Sequence, residues 1–188
     1  MAEKTRSRSI APQPTVSRPE LLVGNSDHAF RQFVHDTLAF SARLQQVRSH
    51  LGQVIGLSGT QYTVLIAIAH LRGEDEKVGV NLVADHLHFS GAFITIEINK
   101  LVAAGLVEKE TDSVDRRRVV LSITPKARAL LNQLAPVQRP ANDLLFSCLS
   151  AKDFERLRKI MSRMVGTADQ AVNLLEYTTP IAAARSAK

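Results

Sequence analysis

Three consecutive arginines, Arg116, Arg117 and Arg118, follow a lone acid, Asp115, between two short runs of strand-forming residues. The second run is Val119-Val120-Leu121-Ser122-Ile123-Thr124, in which Val119, Leu121 and Ile123 alternate with Val120, Ser122 and Thr124. That two-residue period belongs to a half-buried strand, and Leu106 to Thr111 supplies a plausible partner across a polar tip. A hairpin with guanidiniums at the mouth of its second strand can reach a phosphate backbone or a narrow groove, where planar, permanently charged Arg is favoured. An isolated hairpin of this kind reads more simply as a solvated, charged turn. Its chemistry therefore depends on the elements that position it.

Two helices joined by a tight corner precede the hairpin. Asn81–His88 is a short amphipathic segment with Leu82, Val83 and Leu87 on its inner side. Phe89-Ser90-Gly91 breaks it, and Ser90 is a good N-cap for the second helix. From Ala92 to Ala104, Ile94, Ile98 and Leu101 recur at i, i+4 and i+7, giving one apolar face. Ser90, Thr95, Ile96, Asn99 and Lys100 fall largely on the other face, and Gly105 supplies a stop that tolerates positive φ. Helix, turn, helix and basic hairpin in succession is the winged helix-turn-helix plan, whose second helix enters a major groove. The predicted class is mainly α, with α+β character confined to the wing.

Bulk properties are compatible with this plan. The chain has 188 residues, room for one ordinary domain plus an oligomerisation element. Its net charge of +6 favours polyanionic partners, nucleic acid or an anionic membrane surface. The longest uninterrupted apolar run, Val64 to Ala69, is far too short to span a bilayer, and the N-terminus lacks a hydrophobic signal core. A cytoplasmic protein is expected, with no membrane partner. The single cysteine, Cys148, excludes an intramolecular disulfide, and its apolar neighbours suggest a buried structural thiol over a redox sensor.

The pattern divides the chain into five segments. Residues 1–27, rich in Ser, Arg, Pro and Thr, read as a disordered basic tail in which Arg6 and Arg8 read more simply as solvated than as a weak DNA-backbone contact. Residues 28–57 hold a first helix with Phe33, Phe40, Leu44, Val47 and Leu51 on one stripe, widened by Phe30 and Val34. Residues 58–124 form the DNA-binding unit, opened by a capping box, Ser58 with Gln61, and a hydrophobic staple, Leu57 with Tyr62. The helix begun by this box carries Tyr62, Leu65, Ile66, Ile68 and Ala69; a charged loop, 72–77, precedes Val78-Gly79-Val80, a candidate third strand. Residues 125–177 hold two helices. The first starts at Thr124-Pro125 and should kink or break near Pro136 and Pro140. The second is capped by Ser150 and carries an apolar line through Phe154, Leu157, Met161, Met164, Val165, Ala168, Val172 and Leu175, opposite Arg156, Arg158, Lys159 and Arg163. Residues 178–188 read as a flexible tail. The first and last helices have more apolar face than a small winged helix can cover, so a two-fold homodimer is predicted.

This order resembles the MarR (multiple antibiotic resistance regulator) family over roughly residues 28–177. The resemblance rests on Leu57-Ser58 with Gln61 and Leu65, on Val83-Ala84 with Leu87, and on Ser90, Ile94-Thr95, Leu101 and Gly105-Leu106-Val107. It continues through Asp112, Asp115-Arg116-Arg117, Leu121 and Thr124-Pro125, with Asp115-x-Arg117 the most diagnostic piece. It implies a wing whose Arg117 enters a minor groove while Asp115 fixes its geometry, with Arg116 or Arg118 on phosphate. It also implies a pseudo-palindromic double-stranded DNA operator and a repressor released by a small aromatic carboxylate or phenolic ligand. The candidate effector residues are Phe40, Arg43 and Val47 on the first helix and Tyr62, Ile66 and His70 on the second. Each of these also reads as an ordinary core or interface residue.

Two positions depart from the family pattern. Ile96 stands where an Arg is common, leaving Lys100 as the one cation between Ser90 and Ala104; Ala127 stands where Gly is usual. Base reading then falls to Thr95 and Asn99, with Phe93 and Ile96 fitting either a thymine methyl or the core. The six histidines, at 28, 35, 50, 70, 86 and 88, form no metal-ligand pattern, and no phosphate loop or nucleophile elbow is present. No cofactor, metal or enzymatic turnover is expected. The alternative to a DNA-binding regulator is a protein-interaction module that retains the winged-helix shape.

Overall fold

The computed structural model describes residues 13–71, 77–112, 116 and 118–186. Along the chain come α1 (His28–Val54), α2 (Gly59–Leu71), α3 (Val80–Leu87), α4 (Gly91–Ala103), β1 (Val107–Thr111), β2 (Val119–Ile123), α5 (Pro125–Leu145) and α6 (Ala151–Ser186). Residues up to Ala135 form one compact unit and those from Pro136 a second. The mainly α class with a two-stranded wing is as the sequence predicts.

Side-chain caps decide where several helices begin. The Ser58 amide donates to Gln61 Oε1 at 2.9 Å and the Gln61 amide to Ser58 Oγ at 3.1 Å, the reciprocal box read from the sequence. Ser90 Oγ accepts from the Phe93 amide at 3.3 Å, and Thr124 Oγ1 from the Ala127 amide at 3.1 Å. Ser150 and Asp153 exchange bonds at the start of α6, which holds the Asp153 carboxyl below its ordinary value. Gly105 ends α4 with φ +69°, and His88 takes the left-handed position after α3 with φ 54°.

α2 is the hub of the first unit, packing against α1, α3, α4 and β2. It meets α1 at 88°. The crossing is close: a Cβ on Gly59 would stand 3.0 Å from Ser49 Cα, so glycine is required there. The buried core joins Tyr62, Val64, Leu65 and Ile68 to Val83, Ile94, Ile98, Leu101, Val107, Leu121 and Ile123. In the wing, Val107 lies opposite Ile123, Lys109 opposite Leu121 and Thr111 opposite Val119. Directly opposite residues share a face, so Lys109 lies on the same face as buried Val107, Leu121 and Ile123.

Five expectations need correction. Val78 gives no third strand: its carbonyl accepts one bond from the Leu121 amide at 2.8 Å, and Val80 already begins α3. Residues 13–27, expected as a structureless tail, carry a 3₁₀ turn at Pro19–Leu21 and a bridge between Val23 and Ser26. They are clasped to α1 through Asp27, whose Oδ2 accepts from the Thr15 amide at 2.6 Å, Thr15 Oγ1 at 2.8 Å and Arg31 Nε at 2.9 Å. These donors hold the Asp27 carboxyl at about 2, the Thr15 amide having the largest effect. Residues 1–12, with Arg6 and Arg8, lie outside the described residues, as does most of the charged loop, 72–76.

α5 runs as one helix through Pro136 and Pro140, so the break expected as one of two outcomes there does not occur. Each proline lacks the amide hydrogen that would bond the carbonyl of Asn132 or Pro136; both of those residues are exposed, so water can take its place. α6 continues to Ser186 through most of the segment expected as a flexible tail. Cys148 is exposed, not buried, because α5 ends at Leu145 and the thiol falls in the turn before Ser150.

The second unit presents its apolar line uncovered. Phe154, Leu157, Met161, Val165, Val172 and Leu175 are all exposed, and none of residues 151–179 is buried. A helix of 36 residues, roughly 54 Å long, draws its stability mostly from packing of such a stripe. In the first unit α1 likewise exposes Phe33, Leu38 and Phe40.

Candidate nucleic-acid interface

The periodicity of α4 divides it cleanly. Ile94, Ile98 and Leu101 are fully buried, and Glu97, one turn from Ile94 and Leu101, is buried with them. The opposite side stands in water: Phe93 at 38% exposure, Ile96 at 54%, and Asn99 and Lys100 exposed as well. Phe93 and Ile96, left open between core and surface by the sequence, are therefore surface residues. Phe89 joins them from the corner, its ring 5.2 Å from that of Phe93 and tilted by 58°.

The polar groups on this face already have partners. Thr95 Oγ1 donates back to the Gly91 carbonyl at 2.7 Å, so its hydroxyl is turned onto the helix. Lys100, the one cation of α4, binds Glu97 Oε1 at 2.7 Å. Asn99 Oδ1 accepts from Lys109 Nζ of β1 at 2.5 Å. Neither Lys109 nor Glu97 was picked out from the sequence as part of the site. The two-residue period of β1 carries a signal for Lys109, since it places that side chain on the face of Val107.

Arg116, in the turn at the wing tip, and Arg118, just before β2, are both exposed. Asp115 and Arg117, the most diagnostic pair of the sequence, lie outside the described residues. The wing base is pinned: the Asp112 amide donates to the Arg118 carbonyl at 3.0 Å, and buried Asp112 pairs with Lys77 Nζ at 2.8 and 2.9 Å. A cleft of about 500 Å³ opens here, lined by Lys77, Asn81, Asp112 and Arg118 among others. Gly79, at the N-cap of α3, gives that helix no side-chain cap, and Gly79 and Val80 also line the cleft.

The six candidate effector residues do not line that cleft. Tyr62 is a core residue, Val47 and Ile66 are half-buried, and Phe40, Arg43 and His70 are exposed. Arg43 bonds Gln46 Oε1 at 2.7 Å. The cation between α1 and α2 is instead Arg48, which lies 5.1 Å from the Tyr62 ring centroid and donates from Nε to Thr63 Oγ1 at 2.8 Å. Burial lowers the pKa of Arg48 and raises that of Tyr62. The His70 and His86 rings stand 5.9 Å apart. Among the described residues no group of three or more His, Cys, Asp or Glu is placed to hold a metal.

The element order, the paired wing and the exposed face of α4 can be set beside known proteins. Residues 55–118, which span α2 to the wing tip, match the model of the MarR family. The winged helix-turn-helix lobe is a MarR family domain. The HTH-type transcriptional regulator MhqR of Bacillus subtilis is 25% identical over 139 residues, 72% of this chain and 93% of that protein. The structure of the transcriptional regulator BldR from Sulfolobus solfataricus superimposes with TM-score 0.58 at 27% identity, covering 73% of this chain and 96% of that one. A mutant of MarR from E. coli complexed with operator DNA gives TM-score 0.58 at 17% identity, covering 73% and 94%. At that identity the likeness concerns the fold alone. The match to the MarR family model includes α3, α4, β1 and the wing tip, the parts that carry the exposed face and the arginines, and stops short of β2.

Proposed function

We propose that this MarR family protein is a homodimeric, sequence-specific DNA-binding transcriptional regulator, acting in the cytoplasm as a repressor. One observation carries the reading: α4 turns Phe93, Ile96, Asn99 and Lys100 outward beside a wing whose Arg116 and Arg118 are exposed. An exposed helix face of this width fits a major groove, and arginines on a hairpin fit phosphate or the adjacent minor groove. Ser90, Thr95, Ile96, Asn99, Lys100, Asp115, Arg116, Arg117 and Arg118 are the proposed DNA-facing set. Residues 58–124 are the binding domain, flanked by dimerisation helices in 28–57 and from 125 onward. The regulator complexed with operator DNA among the fold relatives supports the same use of the fold.

The uncovered apolar lines of α1 and α6 support the homodimer, since a second copy would bury them. Two-fold symmetry then gives a pseudo-palindromic operator with half-sites roughly 10 base pairs apart. Selection of random duplex DNA by the purified protein tests binding, symmetry and spacing together. Arg117→Ala should lower the slope of log affinity against log salt by about one unit. An unchanged slope would mean the wing does not touch DNA.

For the effector we propose a small aromatic or phenolic acid bound near α1 and α2, with Phe40, Val47, Ile66 and His70 as candidate contacts beside Arg43 and Tyr62. Arg48, partly buried with no carboxylate partner among the described contacts, is the better-placed cation for such an acid. Melting temperatures across a panel of aromatic carboxylates test this, and flat values would count against it. The second reading, a protein-interaction module, draws on the apolar character of the α4 face. Gel shifts with unlabelled competitor separate the two readings.

A further inference from the structure

Base edges in a major groove present hydrogen-bond donors and acceptors, and one apolar group, the 5-methyl of thymine. A helix that reads guanine needs an unengaged Arg or Lys, and one that reads adenine needs an amide with both ends available. α4 supplies no unengaged cation, and its one amide is already bonded at its oxygen end. It contains no arginine, Lys100 is held by buried Glu97 at 2.7 Å, and Asn99 Oδ1 is held by Lys109 at 2.5 Å. What it does present is Phe93 at 38% exposure and Ile96 at 54%, with Phe89 at 44% tilted against Phe93.

We infer that the outer face of α4 discriminates sequence by apolar contact with thymine 5-methyl groups, through Ile96 and Phe93. The inference rests on the proposed DNA binding and names the base feature which that reading leaves open. The surroundings fit duplex DNA better than an apolar protein groove. Lys109, Arg116 and Arg118 stand exposed on the adjoining wing, and the chain carries net charge +6. An apolar patch inside a cationic frame matches a methyl-bearing groove floor between two phosphate walls. Lys109 has a second role here: by occupying one lone pair of Asn99 Oδ1 it favours donation from the amide N–H₂ end, to a purine N7 or a pyrimidine carbonyl, so Asn99 tolerates several bases while the methyl contacts select.

The test uses the full chain and the best duplex from random selection, with each thymine replaced in turn by deoxyuridine, which lacks only the methyl. Affinity is read by fluorescence anisotropy. Loss of one contacted methyl should weaken binding about fourfold, and loss of the symmetric pair in both half-sites roughly fifteenfold. Ile96→Ala or Phe93→Ala should bring the thymine-to-deoxyuridine ratio at its position close to one while leaving the salt slope unchanged. Both side chains lie outside the core, and circular dichroism checks that each variant is folded. Equal affinity for the thymine and deoxyuridine duplexes overturns the inference and leaves DNA binding intact. So does a full deoxyuridine penalty retained by both variants. Failure to bind any duplex removes the DNA reading itself, and this inference with it.

Discussion

Replacing Thr124 with Val removes one hydroxyl from the joint between α4, the wing and α5 and changes side-chain shape very little. Thr124 is 7% exposed, and its Oγ1 accepts from the Ala127 amide at 3.1 Å while donating to the Gly105 carbonyl at 2.9 Å. Ala127 is fully buried, so its amide finds no water when the hydroxyl is gone. Loss of the cap then costs about 1–2 kcal/mol. Gly105 is exposed and its carbonyl can be hydrated, so losing that bond adds only about 0.5–1 kcal/mol. The expected total is roughly 2–3 kcal/mol, a fall in melting temperature of roughly 5–10 °C for a chain of this size. Thr124→Ser keeps both hydrogen bonds and forfeits one buried methyl, about 0.8 kcal/mol. Urea unfolding at fixed protein concentration measures both variants, with the m-value expected to stay constant. A valine variant within about 1 kcal/mol of the parent, or a serine variant as unstable as the valine one, would refute the assignment of Thr124 as a double hydrogen-bonding joint.

Pro140→Ala should restore the amide bond to the Pro136 carbonyl and stabilise the chain by at least about 1 kcal/mol, read by urea unfolding; a loss of stability would mean the ring itself is packed. The Asp27 clasp has a defined pH window. Its folded value of about 2 lies below the ordinary 3.8, so its stabilisation is complete above about pH 4 and vanishes as pH falls through 2. The Thr15 amide resonance should accordingly titrate near 2, and Asp27→Asn should release it at neutral pH; a midpoint near the ordinary 3.8 would mean the clasp does not form. Phe154→Glu puts a carboxylate in the exposed apolar line of α6, and sedimentation should show the proposed dimer weakened at least tenfold; an unchanged association constant would place the interface elsewhere, and a monomeric parent would remove the dimer reading.

Most of the first unit is legible in the sequence because local chemistry and tertiary packing agree there. Ile94, Ile98 and Leu101 repeat at helical spacing and are all buried; Ser58 with Gln61, Ser90 and Thr124 cap where they should; Gly105 takes the positive φ its position needs. What stays hidden depends on contacts between distant segments or on local rules that are overridden. The clasp of Thr15 onto Asp27 spans twelve residues with no periodic signal. Pro136 and Pro140 obey the rule that proline weakens a helix, yet α5 continues through both, where the residues whose carbonyls lose an amide partner, Asn132 and Pro136, are exposed. The effector set shows the limit of spacing arguments. Residues at i, i+4 and i+8 drift by roughly 80° around a helix, so Tyr62 is buried, Ile66 half-buried and His70 exposed. Arg43 and Arg48 differ by five residues, which turns one to Gln46 and the other to Tyr62 and Thr63.

The arrangement of charge separates two quantities that DNA-binding proteins often mix. On α4 the one lysine is neutralised by a buried glutamate, whereas the wing keeps Arg116 and Arg118 exposed and pins its base through the Lys77–Asp112 pair. Salt-dependent affinity scales with the number of phosphates neutralised, so in the proposed complex it would arise mainly from the wing. Sequence preference would arise from groups on α4 that carry no free charge, and their contribution is insensitive to salt. Raising ionic strength should therefore weaken every duplex by nearly the same factor and leave the ratio between a good site and a poor one almost constant. A protein that reads bases with a guanidinium would lose some discrimination under the same change, because its base contact and its backbone contact draw on the same cations. The ratio of specific to non-specific affinity, followed across salt, thus reports on which face of the lobe holds the information, independently of any single substitution.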